Sequence, residues 1–222
     1  MSAKLISHTK CVHNDNLDNL ADVVAFCARV SNPENQENQK TSGKLIKYLM
    51  DHGHWSPFEM VNVCIEITTT RDIARQILRH RSFSFQEFSQ RYAKATEFMT
   101  REARLQDIKN RQNSISLNED DQQHAEICKL WEEKQQKVLQ LCSDTYAWAL
   151  DNGIAKEQAR SILPEGCTMS KLYMNGTLRS WIHYIDLRTG HGTQKEHMDI
   201  ARQCAKIISE IFPIECSRVQ HE

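Results

Sequence analysis

One uninterrupted amphipathic stretch, "EDDQQHAEICKLWEEKQQKVLQLCSDTYAWALDN", runs from about Glu119 to Asn152 and restricts the fold more than any other feature. At 1.5 Å per residue an unbroken helix over this range reaches roughly 50 Å, longer than a small domain needs. A helix of that length presents an apolar stripe that extends past its own domain, so the pattern predicts an oligomer.

The other elements are shorter. In "LDNLADVVAFCARV" the apolar residues Leu17, Leu20, Val23, Val24 and Cys27 share one helical face, and the polar run "SNPENQENQ" after it reads as a surface loop. A second helix, "TSGKLIKYLMDHG", starts at a Thr/Ser cap and stops near Gly53. "VNVCIEIT" alternates, with Val61, Val63, Ile65 and Ile67 on one side, and is expected to be a strand. Thr70 or its neighbour then caps a helix over "RDIARQILRHR". "AKEQARSIL" predicts a short helix stopped by Pro164, and "TMSKLYM" a weakly alternating strand. Two helices near Leu178 to Thr189 and Thr193 to Phe212 close the chain. With no repeat, low-complexity tract or composition break, the 222 residues are expected to form a single α+β domain, a small mostly antiparallel sheet with several long helices.

Composition narrows the function classes. A formal net charge of −1 argues against a general nucleic-acid binder, so any anion site has to be built locally from placed arginines. The N-terminus "MSAKLISHTKCVHND" lacks the apolar run of a signal peptide, and no run reaches the length of a membrane span. A soluble, cytoplasmic protein is expected. Cys11, Cys27, Cys64, Cys128, Cys142, Cys167, Cys204 and Cys216 are scattered singly without a C-x-x-C pair, which reads as reduced thiols used for packing.

Local charge is far from neutral in "RQILRHRSFSFQEFSQRYA". If residues 71 to 80 are helical, Arg71, Arg75 and Arg79 stack on one face. Unit charges 6 Å apart repel by roughly 0.7 kcal/mol in water and by about 3 kcal/mol at a partly buried site. Asp72 and Glu87 offset only part of this, and Arg81 and Arg91 lie just beyond. One reading is a solvated basic face. The other takes Phe83, Phe85, Phe88 and Tyr92 as walls for a flat anionic ligand, with guanidinium forks on phosphate and Ser82, Ser84 and Ser89 as donors. That second arrangement suits a nucleotide.

Two further segments carry candidate chemistry. In "HGHWSPFE", His52 and His54 lack a third metal ligand at a characteristic spacing, so the segment reads as a turn between helix and strand, and no metal site is expected. In "RSWIHYIDLRTGHGTQKEH", Arg179, His183 and Arg188 share a helix that Gly190 ends. Arg188 there either completes the helix C-terminus or aims a guanidinium into a pocket. From these residues alone two other classes stay open: a single-stranded nucleic-acid-binding module on the arginine and aromatic face, and a metal-dependent nucleotide phosphohydrolase.

Four blocks, in order, resemble one family. Arg79-His80-Arg81 followed after seven residues by Ser89 resembles the signature of the flavin-dependent thymidylate synthases. "HGHWSPFE", "ARSILP" and "LRSWIHYIDLR" resemble three further segments of that family. The resemblance implies a homotetramer with active sites shared between subunits, binding FAD and converting dUMP to dTMP. Carbon would come from 5,10-methylenetetrahydrofolate and reducing equivalents from NADPH; neither nucleic acid nor membrane is an expected partner. The family's FAD contacts would fall on Ser56, Arg79, His80, Arg81, Glu87, Thr177, Leu178, Arg179 and His183, with His54 near flavin and folate. Its dUMP contacts would fall on Gln76, Ile77, Leu78, Arg79, Glu87, Phe88, Ser89, Gln90, Arg91, Arg160 and Arg188.

The family often has Asn where this chain has Thr177 and His where it has Met60. Thr177 keeps a hydroxyl for the flavin, and Met60 is expected to act on strand packing. Uracil C5 is a poor nucleophile and has to be made electron-rich before it accepts a carbon. No cysteine here sits beside a base and an arginine cluster. Arg188 at the uracil edge is therefore the expected catalytic group, favouring negative charge on the ring. Ser89 is expected to bind phosphate, since the sequence marks no base for it.

Overall fold

A computed structural model of the chain describes residues 1–17, 19–95, 97–118 and 120–212. Its centre is an antiparallel sheet of β1 (Ser2–His8), β2 (Asn62–Thr70), β3 (Phe83–Glu87) and β6 (Met169–Thr177), in the order β1-β2-β6-β3. A separate ribbon pairs β4 (Arg104–Gln106) with β5 (Ser114–Ser116). Seven helices are present among the described residues. They are α1 (Leu20–Ala28), α2 (Ser42–Asp51), α3 (Arg71–Ile77), α4 (Gln122–Asp151), α5 (Lys156–Ala159), α6 (Leu178–Arg188) and α7 (Lys195–Ile211). The α+β expectation holds.

The predicted alternation of β2 becomes the core face of the sheet. Val63, Ile65 and Ile67 are fully buried, and the antiparallel register sets Ile65 beside Met174 and Ile67 beside Leu172. Each such side chain removed from water contributes about 1.5–3 kcal/mol. The α6 residue Trp181 locks onto this layer by donating its indole N–H to the Val63 carbonyl at 2.9 Å. Val63 pairs with Gly176, and Gly176 also pairs with Phe83 of β3. A Cβ at 176 would lie 2.4 Å from the Phe83 ring, so only glycine lets the ring cross the strand here.

Several boundaries differ from the expectation. The helix over "RDIARQILRHR" stops at Ile77, so Arg71 and Arg75 are helical while Arg79, His80 and Arg81 occupy the turn into β3. A stack of three arginines therefore does not form. Phe83 and Phe85 belong to that unexpected strand and pack on the core instead of facing outward as ligand walls. β1 and the β4–β5 ribbon were also not expected. Met60 ends a 3₁₀ turn, Ser56–Met60, and is 56% exposed, so it takes no part in strand packing. The segment "AKEQARSIL" forms the single turn α5 followed by a 3₁₀ turn, Arg160–Ile162.

The long helix forms as α4, 30 residues and so about 45 Å. Its expected start, Glu119, lies outside the described residues; Asp121 caps it by accepting from the Gln123 and His124 amides. Only Gln135, Tyr146 and Ala149 of α4 are buried, while Val138, Leu141 and Trp148 are exposed. The seven described cysteines are free, with Cys216 outside the described residues. No described helix is long and apolar enough to cross a membrane, and no described group of three or more His, Cys, Asp or Glu could hold a metal.

Candidate active site

Two strands run straight into helices, β2 into α3 at Thr70–Arg71 and β6 into α6 at Thr177–Leu178. Thr177 caps α6 by accepting from the Ser180 amide at 3.3 Å, so the hydroxyl expected for the flavin is engaged by the helix N-terminus. Because β2 and β6 are antiparallel, α3 and α6 begin at opposite ends of the sheet. The turn after α3 comes back along α6, where Ser180 Oγ donates to the Ser82 carbonyl at 3.2 Å. This geometry brings His80 to Arg188.

Arg188 Nε donates to His80 Nε2 at 2.9 Å. An imidazole nitrogen that accepts carries no proton, so His80 is neutral with its hydrogen on Nδ1. Burial, reinforced by the Arg188 charge, lowers its pKa to about 4. The Tyr184 ring stands edge-on to His80 at 4.9 Å, and His197 lies behind at 6.3 Å. His197 is fully buried, and burial, with the Arg188 and His80 charges, lowers its pKa to about 3.

A chain of polar contacts leads on from there. Tyr184 Oη meets His197 Nε2 at 3.1 Å, and His197 Nδ1 meets Gln76 Oε1 at 3.3 Å. Gln76 Nε2 donates to Gln194 Oε1 at 2.8 Å, and Gln194 Nε2 donates to Glu196 at 2.9 Å. Arg101 and Arg104 both pair with Glu196, and Arg101 also grips Asp72 at 2.8 Å. Burial by itself would push the Glu196 carboxyl up. The residue's own amide, Gln194 and the two guanidiniums outweigh it and bring the carboxyl below its usual range.

A second group lies where the turn before β2 meets α6. His54 and Ser56 are exposed there, the His54 amide bonding the Leu49 carbonyl at 2.8 Å. Trp55 abuts His183 at 4.6 Å, and Arg179 pairs with Glu59. A third group sits at the far end of β3. Glu87 accepts from Ser170 at 2.8 Å and faces Arg71 at 3.7 Å. The Ser89–Tyr92 turn is tied to α5 by Arg91–Glu157 at 3.4 Å and by Lys156 donating to the Tyr92 carbonyl, and Arg160 follows α5 directly. Gln90 is buried, and its amide nitrogen has no partner among the described residues.

So the structure gathers Gln76, His80 and Arg188 in one group and His54, Ser56, Arg179 and His183 in a second, joined through α6. Glu87 to Arg91 and Arg160 form a third, set off by the length of β3, roughly 13 Å. Ile77 and Leu178 are fully buried core side chains, which leaves them only main-chain atoms to offer a ligand. Arg79, Arg81, Arg160 and Arg188 form no carboxylate ion pair among the described residues, whereas Arg71, Arg75, Arg91 and Arg179 do. The carboxylate partners that a solvated basic face would have are found for that second set, while Arg79 and Arg81 of the first are exposed without one among the described residues.

Arg101, Arg104, Tyr184, Gln194, Glu196 and His197 were not singled out from sequence. One signal was available: His197 lies three and four residues before Ile200 and Ala201 on the buried face of α7, an apolar stripe with a polar member.

The family described as "Thymidylate synthase complementing protein" matches residues 4–214. A probable flavin-dependent thymidylate synthase of Paramecium bursaria Chlorella virus 1 is 51% identical over 215 residues, covering 96% of each chain. The flavin-dependent thymidylate synthase of Synechocystis is 54% identical, covering 86% of this chain and 85% of its own. Among solved structures, a UMP/dUMP methylase, PolB, from Streptomyces cacaoi bound with 5-Br dUMP superposes with a TM-score of 0.74 at 25% identity, covering 96% of this chain and 91% of its own. Four sequence blocks in order, the guanidiniums left free by the fold and relatives matched over nearly their whole length agree: the chain belongs to the flavin-dependent thymidylate synthases.

Proposed function

We propose that the chain methylates dUMP to dTMP with 5,10-methylenetetrahydrofolate as carbon donor and NADPH as reductant, using FAD, as a cytoplasmic homotetramer whose sites are shared between subunits. The observation that carries this reading is the bond from Arg188 Nε to neutral His80. It fixes the guanidinium plane while leaving both terminal nitrogens to face a ligand. An arginine cannot release its proton, so it offers a permanent positive charge where the uracil ring becomes electron-rich.

The residues present fit FAD. Arg79 and Arg81 are exposed guanidiniums without a carboxylate partner among the described residues, suited to a diphosphate, and His80 keeps an Nδ1 hydrogen for a further acceptor. His54, Ser56, Thr177, Leu178, Arg179 and His183 complete that group, and Glu87 joins it from the third group, at the far end of β3. Bound FAD supplies the redox chemistry that turns a methylene carbon into a methyl group. The protein's part is to bind, orient and charge the reactants. Ser89, Arg91 and Arg160 hold the phosphate of dUMP, with Gln76 to Arg79 and Glu87 to Gln90 around it.

Four of the described thiols are held in the protonated form, which does not attack a base. Burial pushes the Cys204 thiol up to about 12 and raises those of Cys27, Cys64 and Cys167. Ser89 has no histidine or carboxylate bonded to its hydroxyl among the described residues, only the Arg91 amide at 3.4 Å. Sharing between subunits is supported by β3, roughly 13 Å long, lying between the His80 turn and the Ser89 turn, together with the exposed apolar side of α4. An absorbance titration tests the whole reading. Added FAD should give a flavin spectrum that NADPH bleaches and dUMP perturbs, and a protein indifferent to FAD and dUMP would refute it.

A further inference from the structure

We propose that Glu196, acting through Gln194, sets the direction of every hydrogen bond in the chain Glu196–Gln194–Gln76–His197–Tyr184, and so fixes which end of the Gln76 amide meets the nucleotide. The inference rests on the reading that Gln76 lies at the dUMP site. Its geometry stands apart from that reading.

Direction follows from one end by elimination. A carboxylate only accepts, so the Gln194 atom facing Glu196 is the NH₂ group, at 2.9 Å. The Gln194 oxygen is then turned to Gln76, which has to present its own NH₂, at 2.8 Å. That leaves the Gln76 oxygen toward His197 Nδ1, which can only donate, at 3.3 Å. A neutral imidazole with hydrogen on Nδ1 accepts at Nε2, so the Tyr184 hydroxyl donates to it, at 3.1 Å. Glu196, His197 and Tyr184 are 5%, 0% and 2% exposed and the two glutamines between them half-buried, so the Tyr184–His197 bond is closed to water and the glutamine links take their direction from the charged end. Arg101 and Arg104 keep the carboxylate charged at the origin.

The consequence is a presorted amide. Gln76 turns its oxygen to the buried His197 and one hydrogen to Gln194, and keeps one N–H. With its oxygen facing the protein interior, the remaining N–H is the donor it offers to an oxygen acceptor of the nucleotide. Glu196 is a positioning residue.

The test uses the full-length, FAD-loaded protein with ¹⁵N-labelled histidine, the His197 signals being identified by their loss in His197→Gln. Wild type should show His197 with hydrogen on Nδ1, and so should Tyr184→Phe, because direction does not originate at the tyrosine. Glu196→Gln should show the other tautomer or a mixture and weaken dUMP binding, read from the flavin spectrum, about tenfold. The exchanged pair Gln194→Glu with Glu196→Gln puts the carboxylate one link closer and should restore both the tautomer and the affinity. An Nε2–H His197 in a wild-type protein that binds dUMP overturns the inference alone, as does an exchanged pair no better than Glu196→Gln. A wild-type spectrum that ignores dUMP overturns the function above and with it the nucleotide half of this inference.

Discussion

Arg188 and His80, 108 residues apart in sequence, are joined by a single 2.9 Å bond from guanidinium Nε to imidazole Nε2. The last residue of α6 is thereby held by the turn that follows α3. The pair is self-consistent: a protonated His80 could not accept this bond and would repel the guanidinium. Burial and the Arg188 charge both favour the neutral ring.

Arg188→Ala removes the charge without touching the core. FAD binding and the melting midpoint should stay near wild type, while turnover falls by about a hundredfold or more, the scale for losing one electrostatic stabiliser. Single-turnover flavin oxidation with dUMP and folate present would measure it. The His80 pKa should rise from about 4 yet remain below 6.5, because burial is the larger cause. Near-normal turnover would take Arg188 out of the catalytic role.

Acid should unfold the protein through two histidines. Unfolded imidazoles take up protons near 6.5, whereas folded His80 and His197 do so near 4 and 3. Between those values the unfolded chain holds more protons, so stability falls as pH drops from about 6.5 toward 3. The slope is at most about 1.4 kcal/mol per pH unit for each histidine, and less for the partly exposed His80. Urea midpoints across this range should show a shallower fall for His197→Gln than for wild type. Parallel curves would assign the acid sensitivity elsewhere.

How much of this was legible depends on whether a partner lay nearby in sequence. β2 was readable because Val61 to Ile67 alternate on their own, and α4 because its amphipathic pattern needs no neighbour. Phe83-Ser84-Phe85 alternates too, but three residues among arginines read equally well as a ligand wall; pairing with Gly176 decides it. Nothing local stops α3 at Ile77, since "LRHR" consists of residues a helix tolerates. The chain leaves the helix there because β3 pairs with β6, a tertiary demand. Free guanidiniums could not be told from paired ones for the same reason: Arg75 meets Glu165 and Arg91 meets Glu157, both far along the chain. The motif residues Arg79, His80, Arg81 and Arg188 were found by resemblance, while the Glu196 chain depends on α7 crossing α3 and had no local signature.

Gly176→Ala should destabilise the protein by about 1–3 kcal/mol, the range for overpacking a tight site. The added methyl would lie 2.4 Å from the Phe83 ring, which is itself held edge-on by Trp181 at 4.9 Å. Relief requires β3 to move, and β3 leads into Glu87 and Ser89, so dUMP affinity should fall as well. Chemical denaturation in a double-mutant cycle with Phe83→Ala isolates the clash, and most of the penalty should vanish in that background. An equal cost with and without the ring would show that Phe83 is not the obstacle.

The unburied side of α4 should be a contact between copies of the chain. Val138, Leu141 and Trp148 are 54%, 69% and 60% exposed, and Leu141 and Trp148, seven residues apart, share one helix face. A lone chain gains nothing by keeping such a stripe wet, whereas a symmetric partner buries it. Leu141→Glu with Trp148→Glu should lower the mass seen by light scattering while leaving the helical circular dichroism intact. Activity should fall with the mass, because the Ser89 group of one copy would lose the Arg188 group of another. Arg188→Ala and Arg160→Ala proteins, each inactive, should regain measurable turnover when unfolded together and refolded as a mixture, since some sites then draw both intact halves. A mixture that stays inactive, or a charged variant that keeps its mass, would place each site within one chain or the interface on another surface.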